Sequence, residues 1–144
     1  MSGLPANFGI VTLGVADVAR AAAFYAALGW ERAGASSEEI VWFRTSGSYV
    51  GLFERSCLAE DAAVPNTPAG GFTGITLAVN VDSPDAVDAG LAGAVAAGGS
   101  VVKPGTKAEW GGYSGYFADP DGFLWEVAHN PHFPLSTEGQ VRIP

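Results

Sequence analysis

Few residues in this chain could do chemistry, and Glu126 is the most suggestive of them. It stands in Phe123-Leu-Trp-Glu-Val-Ala128, a carboxylate among apolar neighbours. Projected from a strand into a hollow, such a group is a candidate general base or acid. The same carboxylate could equally be satisfied by Lys103, Arg44 or backbone donors, which would make it structural. The two histidines, His129 and His132, follow that strand. Strand parity sends His129 to the face opposite Glu126, so the pair reads as surface or turn residues ahead of metal ligands. Cys57 is the sole cysteine, which excludes an internal disulfide and cysteine-rich zinc sites. No histidine lies near it in sequence to activate it, and it reads as a small hydrophobe rather than a nucleophile.

A second cluster is Glu109-Trp-Gly-Gly-Tyr-Ser-Gly115, where Trp110 and Tyr113 sit among glycines. Either it is a loop free to move over a bound molecule or it is an ordinary glycine-rich hairpin.

Positioning these groups requires strands and helices, and the apolar periodicity supplies them in a repeating order. Ile10 to Val15 alternates as a strand, and Asp17 is a candidate helix N-cap. Val18, Ala21, Ala22, Tyr25 and Leu28 then recur at helical spacing. Glu39–Arg44 and Ser48–Glu54 read as strands joined by Thr45-Ser-Gly47. Cys57 to Gly71, with Pro65, Pro68, Gly70 and Gly71, loses the periodicity and reads as a linker. The pattern returns with the alternating Ile75–Val81, the helix opening Ser83-Pro84, and an apolar stripe of Val87, Leu91 and Val95. Strands follow from Val101, over Trp110–Phe117, and over Phe123–Ala128 through the turn Asp119-Pro-Asp-Gly122. Val11–Val15 lies over Ile75–Val79, and Phe43–Leu52 over Phe117–Glu126, so the second half repeats the first.

The whole is one 144-residue domain: module 1 over about 8–56, the linker over 57–71, module 2 over about 72–130, and a polar, proline-rich tail over 131–144. That tail reads as a frayed end or an arm packed on a neighbouring subunit. Hydrophobic residues make up 48% of the chain, enough for a core. Seven basic against 15 acidic residues leave a net charge of −8, and no Lys/Arg cluster exists to follow a phosphate backbone, so nucleic acid is an unsuitable partner. Neither a secretory signal nor a run of ~18 apolar residues is present, which predicts a cytoplasmic protein without membrane association.

Thr12-Leu-Gly-Val-Ala-Asp17, Phe24-Tyr-Ala-Ala-Leu-Gly29 and Asp119-Pro-Asp-Gly-Phe-Leu-Trp-Glu126 on this repeat resemble the vicinal oxygen chelate superfamily. That group includes glyoxalase I, extradiol dioxygenases, and the bleomycin and fosfomycin resistance proteins. The resemblance covers roughly Phe8 to Pro131. It implies an α+β fold of two βαβββ modules whose curved sheets form a cleft with helices outside, and commonly a homodimer. In metal-dependent relatives the first and last strands of each module each give one ligand, typically His, Gln or Glu. Carried over, the slots fall on Ile10, on Thr76 or Gly74, on Leu52 and on Glu126. One carboxylate is too few for zinc or non-heme iron, so the expectation is no cofactor, with a divalent metal as the alternative. The alternation directs Thr12, Leu52, Thr76, Asn80 and Glu126 into the cleft, with Trp42, Trp110 and Tyr113 at its walls. This is an apolar pocket with a few polar anchors. Two functions stand: a metal-free protein binding a small, aromatic or planar molecule, and a metal-dependent lyase, isomerase or dioxygenase.

Overall fold

The structure is a computed structural model that describes residues 3–67 and 70–144; Pro68 of the expected linker lies outside the described residues. The first half runs β1 (Ile10–Val15), α1 (Val18–Ala27), β2 (Ile40–Arg44) and β3 (Tyr49–Glu54), and the second runs β4 (Leu77–Asn80), α3 (Pro84–Ala96), β5 (Ser100–Lys107), β6 (Tyr113–Ala118) and β7 (Leu124–His129). Between them lies α2 (Arg55–Asp61). This is the α+β repeat the sequence predicts. In each half the first strand pairs in parallel with the last, β1 with β3 and β4 with β7. The sheet orders are β1-β3-β2 and β4-β7-β6-β5. The second half is a full βαβββ unit. In the first, the strand after the helix shrinks to a single bridge, Arg32 to Phe43.

Local chemistry accounts for the helices. The Asp17 side chain accepts from the Arg20 amide at 3.0 Å, and Ser83 from the Ala86 amide at 3.1 Å with Pro84 behind it, both ordinary N-caps. Helix α3 buries Val87, Leu91 and Ala94, whereas Val95 is half-exposed. This corrects the expected stripe: a step of four residues overshoots a 3.6-residue turn, so by the third member the buried line has moved back to Ala94. Helix α2 is a second correction. It occupies the start of the expected linker, buries no side chain and so has no apolar stripe to announce it.

Helices α1 and α3 pack on one layer of core. Phe24 and Tyr25 of α1, both buried, meet Phe43, Phe117 and Trp125 from the two sheets. Trp125 and Phe117 stack at 6.2 Å. The α1 face therefore belongs to both halves and ties them together. No helix among the described residues is long and apolar enough to cross a membrane.

Candidate functional site

Strand pairing fixes what each sheet face presents. In the first sheet Thr12, Gly51 and Trp42 lie side by side; in the second, Ala78, Glu126 and Tyr116 form the same row. The opposite faces carry Leu13-Leu52-Val41 and Leu77-Trp125-Phe117, turned toward the helices and the core. Glu126 thus corresponds to Gly51, not to Leu52. The β2–β3 connection pairs Arg44 with Tyr49, whereas the β6–β7 connection pairs Ala118 with Leu124. The second turn is one residue longer, and a one-residue slip exchanges the faces of a strand. Leu52, expected in the cleft, is fully buried in the core.

The same registry selects Thr76 over Gly74 as the mate of Ile10, each two residues before the row member Thr12 or Ala78. The four slots of a shared cation are then Ile10, Gly51, Thr76 and Glu126. One carboxylate, one hydroxyl, one alkyl group and no side chain at all do not fit a divalent ion that needs three or four good donors. Growth at Gly51 would also be tight: a Cβ there would lie 3.2 Å from the Trp42 indole and 3.3 Å from the Thr12 hydroxyl, so these side chains would have to shift. Among the described residues no group of three or more His, Cys, Asp or Glu could hold a metal ion.

Glu126 is half-buried beside Tyr116. Burial, and then the Glu126 carboxylate, push the Tyr116 phenol above its ordinary range. Neither residue lines the large cavity described below. Tyr113 departs from the expected wall, since its hydroxyl donates to the Asp88 carboxylate on α3 at 2.8 Å. Trp110 is half-exposed in the Ala108–Gly112 turn, away from both cavities. The Nδ1 atom of His129 lies 3.2 Å from the Val81 carbonyl, and His132 is exposed.

A cavity of about 810 Å³ opens between the halves. Thr76, just before β4, and Asn80 on β4 line it together with Trp30, Arg44, Tyr49 and Trp125. Trp42 lines a separate hollow of about 310 Å³ with Ile10, Arg44 and Tyr49. Thr12 keeps its place on the sheet face but lines neither. The wall that sequence reasoning missed is the tail. Instead of leaving as an arm, it turns back through a hairpin in which Ser136 donates its amide to the Gln140 carbonyl at 2.8 Å and Gly139 donates to Ser136 at 2.9 Å. The Gln140 amide side chain then donates to the Ser46 carbonyl of the β2–β3 turn at 2.8 Å. This seats Gln140 and Arg142 on the cavity rim. Gly139 as a turn residue was the one signal in the sequence for this fold-back.

The family model for the Glyoxalase/Bleomycin resistance protein/Dioxygenase superfamily matches residues 7–127. The chain belongs to this superfamily. Among solved structures, a glyoxalase-related enzyme from Fulvimarina pelagi is 33% identical over 96% of this chain and 99% of its own, with a TM-score of 0.87. A glyoxalase/bleomycin resistance protein from Albidiferax ferrireducens T118 is 26% identical over 86% of this chain and 98% of its own, with a TM-score of 0.64. Lactoylglutathione lyase from Agrobacterium tumefaciens, 23% identical over 88% of this chain and 95% of its own with a TM-score of 0.64, shares the superfamily fold. No curated protein matches the chain at a significant level.

Proposed function

We propose that this superfamily member binds a small, planar, mostly apolar molecule in the cavity between its halves, without the divalent cation used by metal-dependent relatives. The observation that carries the reading is the cavity itself. Its volume suits a small-molecule site, both halves wall it, and Trp30 offers an aromatic surface with Thr76 and Asn80 as polar anchors. The poor donor set at Ile10, Gly51, Thr76 and Glu126 supports the metal-free part.

A second reading is an enzyme, a lyase, isomerase or dioxygenase of the same superfamily. It draws on the Fulvimarina pelagi relative being a glyoxalase-related enzyme and on Glu126 beside Tyr116, a carboxylate and a phenol that could share proton transfer. Metal analysis of protein purified without chelator, joined to a thermal-shift screen of aromatic compounds, separates the two. The expected outcome is no stoichiometric metal, and a hit that stabilises by about 2.7 kcal/mol at a hundredfold excess over its Kd with no product formed. Stoichiometric zinc, nickel, manganese or iron that is lost in Glu126→Ala would overturn the metal-free reading. Turnover that disappears in Glu126→Gln while binding persists would establish the carboxylate as an acid–base group.

A further inference from the structure

The charges around the cavity are unlike those of the rest of the chain. Its lining holds two arginines, Arg44 and Arg142, and one acid, Glu31, a local balance of +1. The whole chain is −8, so everything else sums to −9. Two of only seven basic residues, Arg44 in the first half and Arg142 in the tail, have been brought to one opening. Arg44 is oriented by its neighbours: its Nη1 donates to the Tyr49 hydroxyl at 3.1 Å, and its guanidinium lies 5.8 Å from the centre of that ring. The Glu31 carboxylate is 3.7 Å from Arg44 Nε, with both side chains well exposed, and an exposed pair of this length neutralises little. Arg142 is carried in by the tail hairpin, whose position is fixed where its amide donates to the Pro134 carbonyl at 2.8 Å and where Gln140 holds the β2–β3 turn. Glu138 senses Arg142 only as the weakest of several influences, its own backbone amide being the largest. The Arg142 guanidinium is exposed and free to turn to a ligand.

The same cavity also has apolar lining residues, among them Val11, Leu77 and Val79. Trp30 is half-buried and meets Trp125 edge-on at 5.4 Å, leaving an indole wall. Beside it, β4 is the end strand of its sheet, so the backbone groups of Thr76–Asn80 on the cavity side have no strand partner among the described residues and offer further donors. Two guanidinium groups and an indole lining one cavity match a flat apolar body that carries a planar anion, since guanidinium groups bind carboxylates through two parallel hydrogen bonds. Resting on the small-molecule reading above, we infer that the ligand of this cavity is an aromatic carboxylate. Its ring lies against Trp30 and its carboxylate is held by Arg142 with Arg44. The remaining net charge of −9 disfavours non-specific binding of an anion, which makes the local positive charge a selector of place.

The test is calorimetric titration at low salt with phenylacetate and indole-3-acetate, and with their neutral amides, against the full chain and three variants. The acids are expected to bind at least tenfold more tightly than the amides. Arg142→Gln should erase that preference without changing amide binding, Arg142→Lys should restore it in part, and Trp30→Ala should weaken acids and amides alike. Acids and amides binding equally to the native chain, or a preference that survives Arg142→Gln, would overturn the anionic class and leave the cavity reading standing. Binding of none of the four compounds, or binding indifferent to Trp30→Ala and Arg142→Gln together, would overturn both.

Discussion

The Tyr25 hydroxyl is occupied on both sides. It donates to Asp119 Oδ2 at 2.6 Å and accepts from the Trp125 indole at 3.1 Å. The other oxygen of Asp119 accepts from the amides of Asp121 and Phe123, each at 2.9 Å. Asp121 in turn accepts from the Ala16 amide at 2.9 Å and from Arg20 at 3.0 Å. The Asp-Pro-Asp-Gly turn is therefore a staple that fastens the second half to the start of α1. Burial pushes the Asp119 carboxyl upward against the hydrogen bonds that favour its charge, and burial with Asp119 alongside pushes the Tyr25 phenol far upward. Tyr25→Phe would leave a buried acceptor and a buried donor each short of a partner. A loss on the order of 1–3 kcal/mol is expected, read as a lower urea midpoint at unchanged slope. An unchanged midpoint would show that water replaces the hydroxyl. None of this network was legible in the sequence beyond a turn and an apolar helix position, because its partners lie 94 and 100 residues apart. Thr76 and Asn80 border the cavity together with Leu77, Ala78 and Val79, so it is the whole end strand rather than one of its faces that does so, which alternation does not foretell. Trp30 was not legible either, since it sits after α1 in a stretch without period.

At the scale of elements, two glycines near α3 make opposite predictions. A Cβ on Gly99 would come within 2.7 Å of the Ala118 carbonyl and 2.9 Å of the Phe24 ring, so the helix-to-β5 passage depends on its absence. A Cβ on Gly93, an exposed position inside α3, would meet nothing within 4 Å. Gly99→Ala should destabilise by about 1–3 kcal/mol through overpacking, whereas Gly93→Ala should stabilise by up to about 1 kcal/mol through helix propensity. Thermal melts of the two variants check both signs at once, and a stabilised Gly99→Ala would mean that the passage can yield. The elements themselves were mostly legible because strands and helices write their periods into local sequence. What escaped was set by small counts. One extra residue in the β6–β7 turn moved Leu52 from cleft to core, and the drift of a 3.6-residue turn moved Val95 outward.

At the scale of the whole molecule, the tail completes the cavity without belonging to either repeat. Removing residues 135–144 should lower Tm by a few degrees, by stripping the Gln140 contact with the β2–β3 turn, and should open the cavity rim. A homodimer, proposed from the exposed Phe72 and Ile75, should survive that truncation, because the hairpin packs on its own chain. Light scattering beside the melts decides the point. A dimer that falls apart on truncation would return the tail to the role of an intersubunit arm. Tail placement was illegible because it rests on one side-chain amide meeting one distant carbonyl, a contact that leaves no period and no composition bias.

Because the first strand of each half waits for the last, order of synthesis matters to this chain. The first sheet can close once Glu54 has left the ribosome. The aromatic side of α1, however, is only partly covered by Phe43 until Phe117 and Trp125 emerge, and the Trp125 contact to Tyr25 spans 100 residues. At roughly 5–20 residues per second that interval is on the order of 5–20 s, long enough for a nascent-chain chaperone to cover Phe24 and Tyr25 before their native partners arrive.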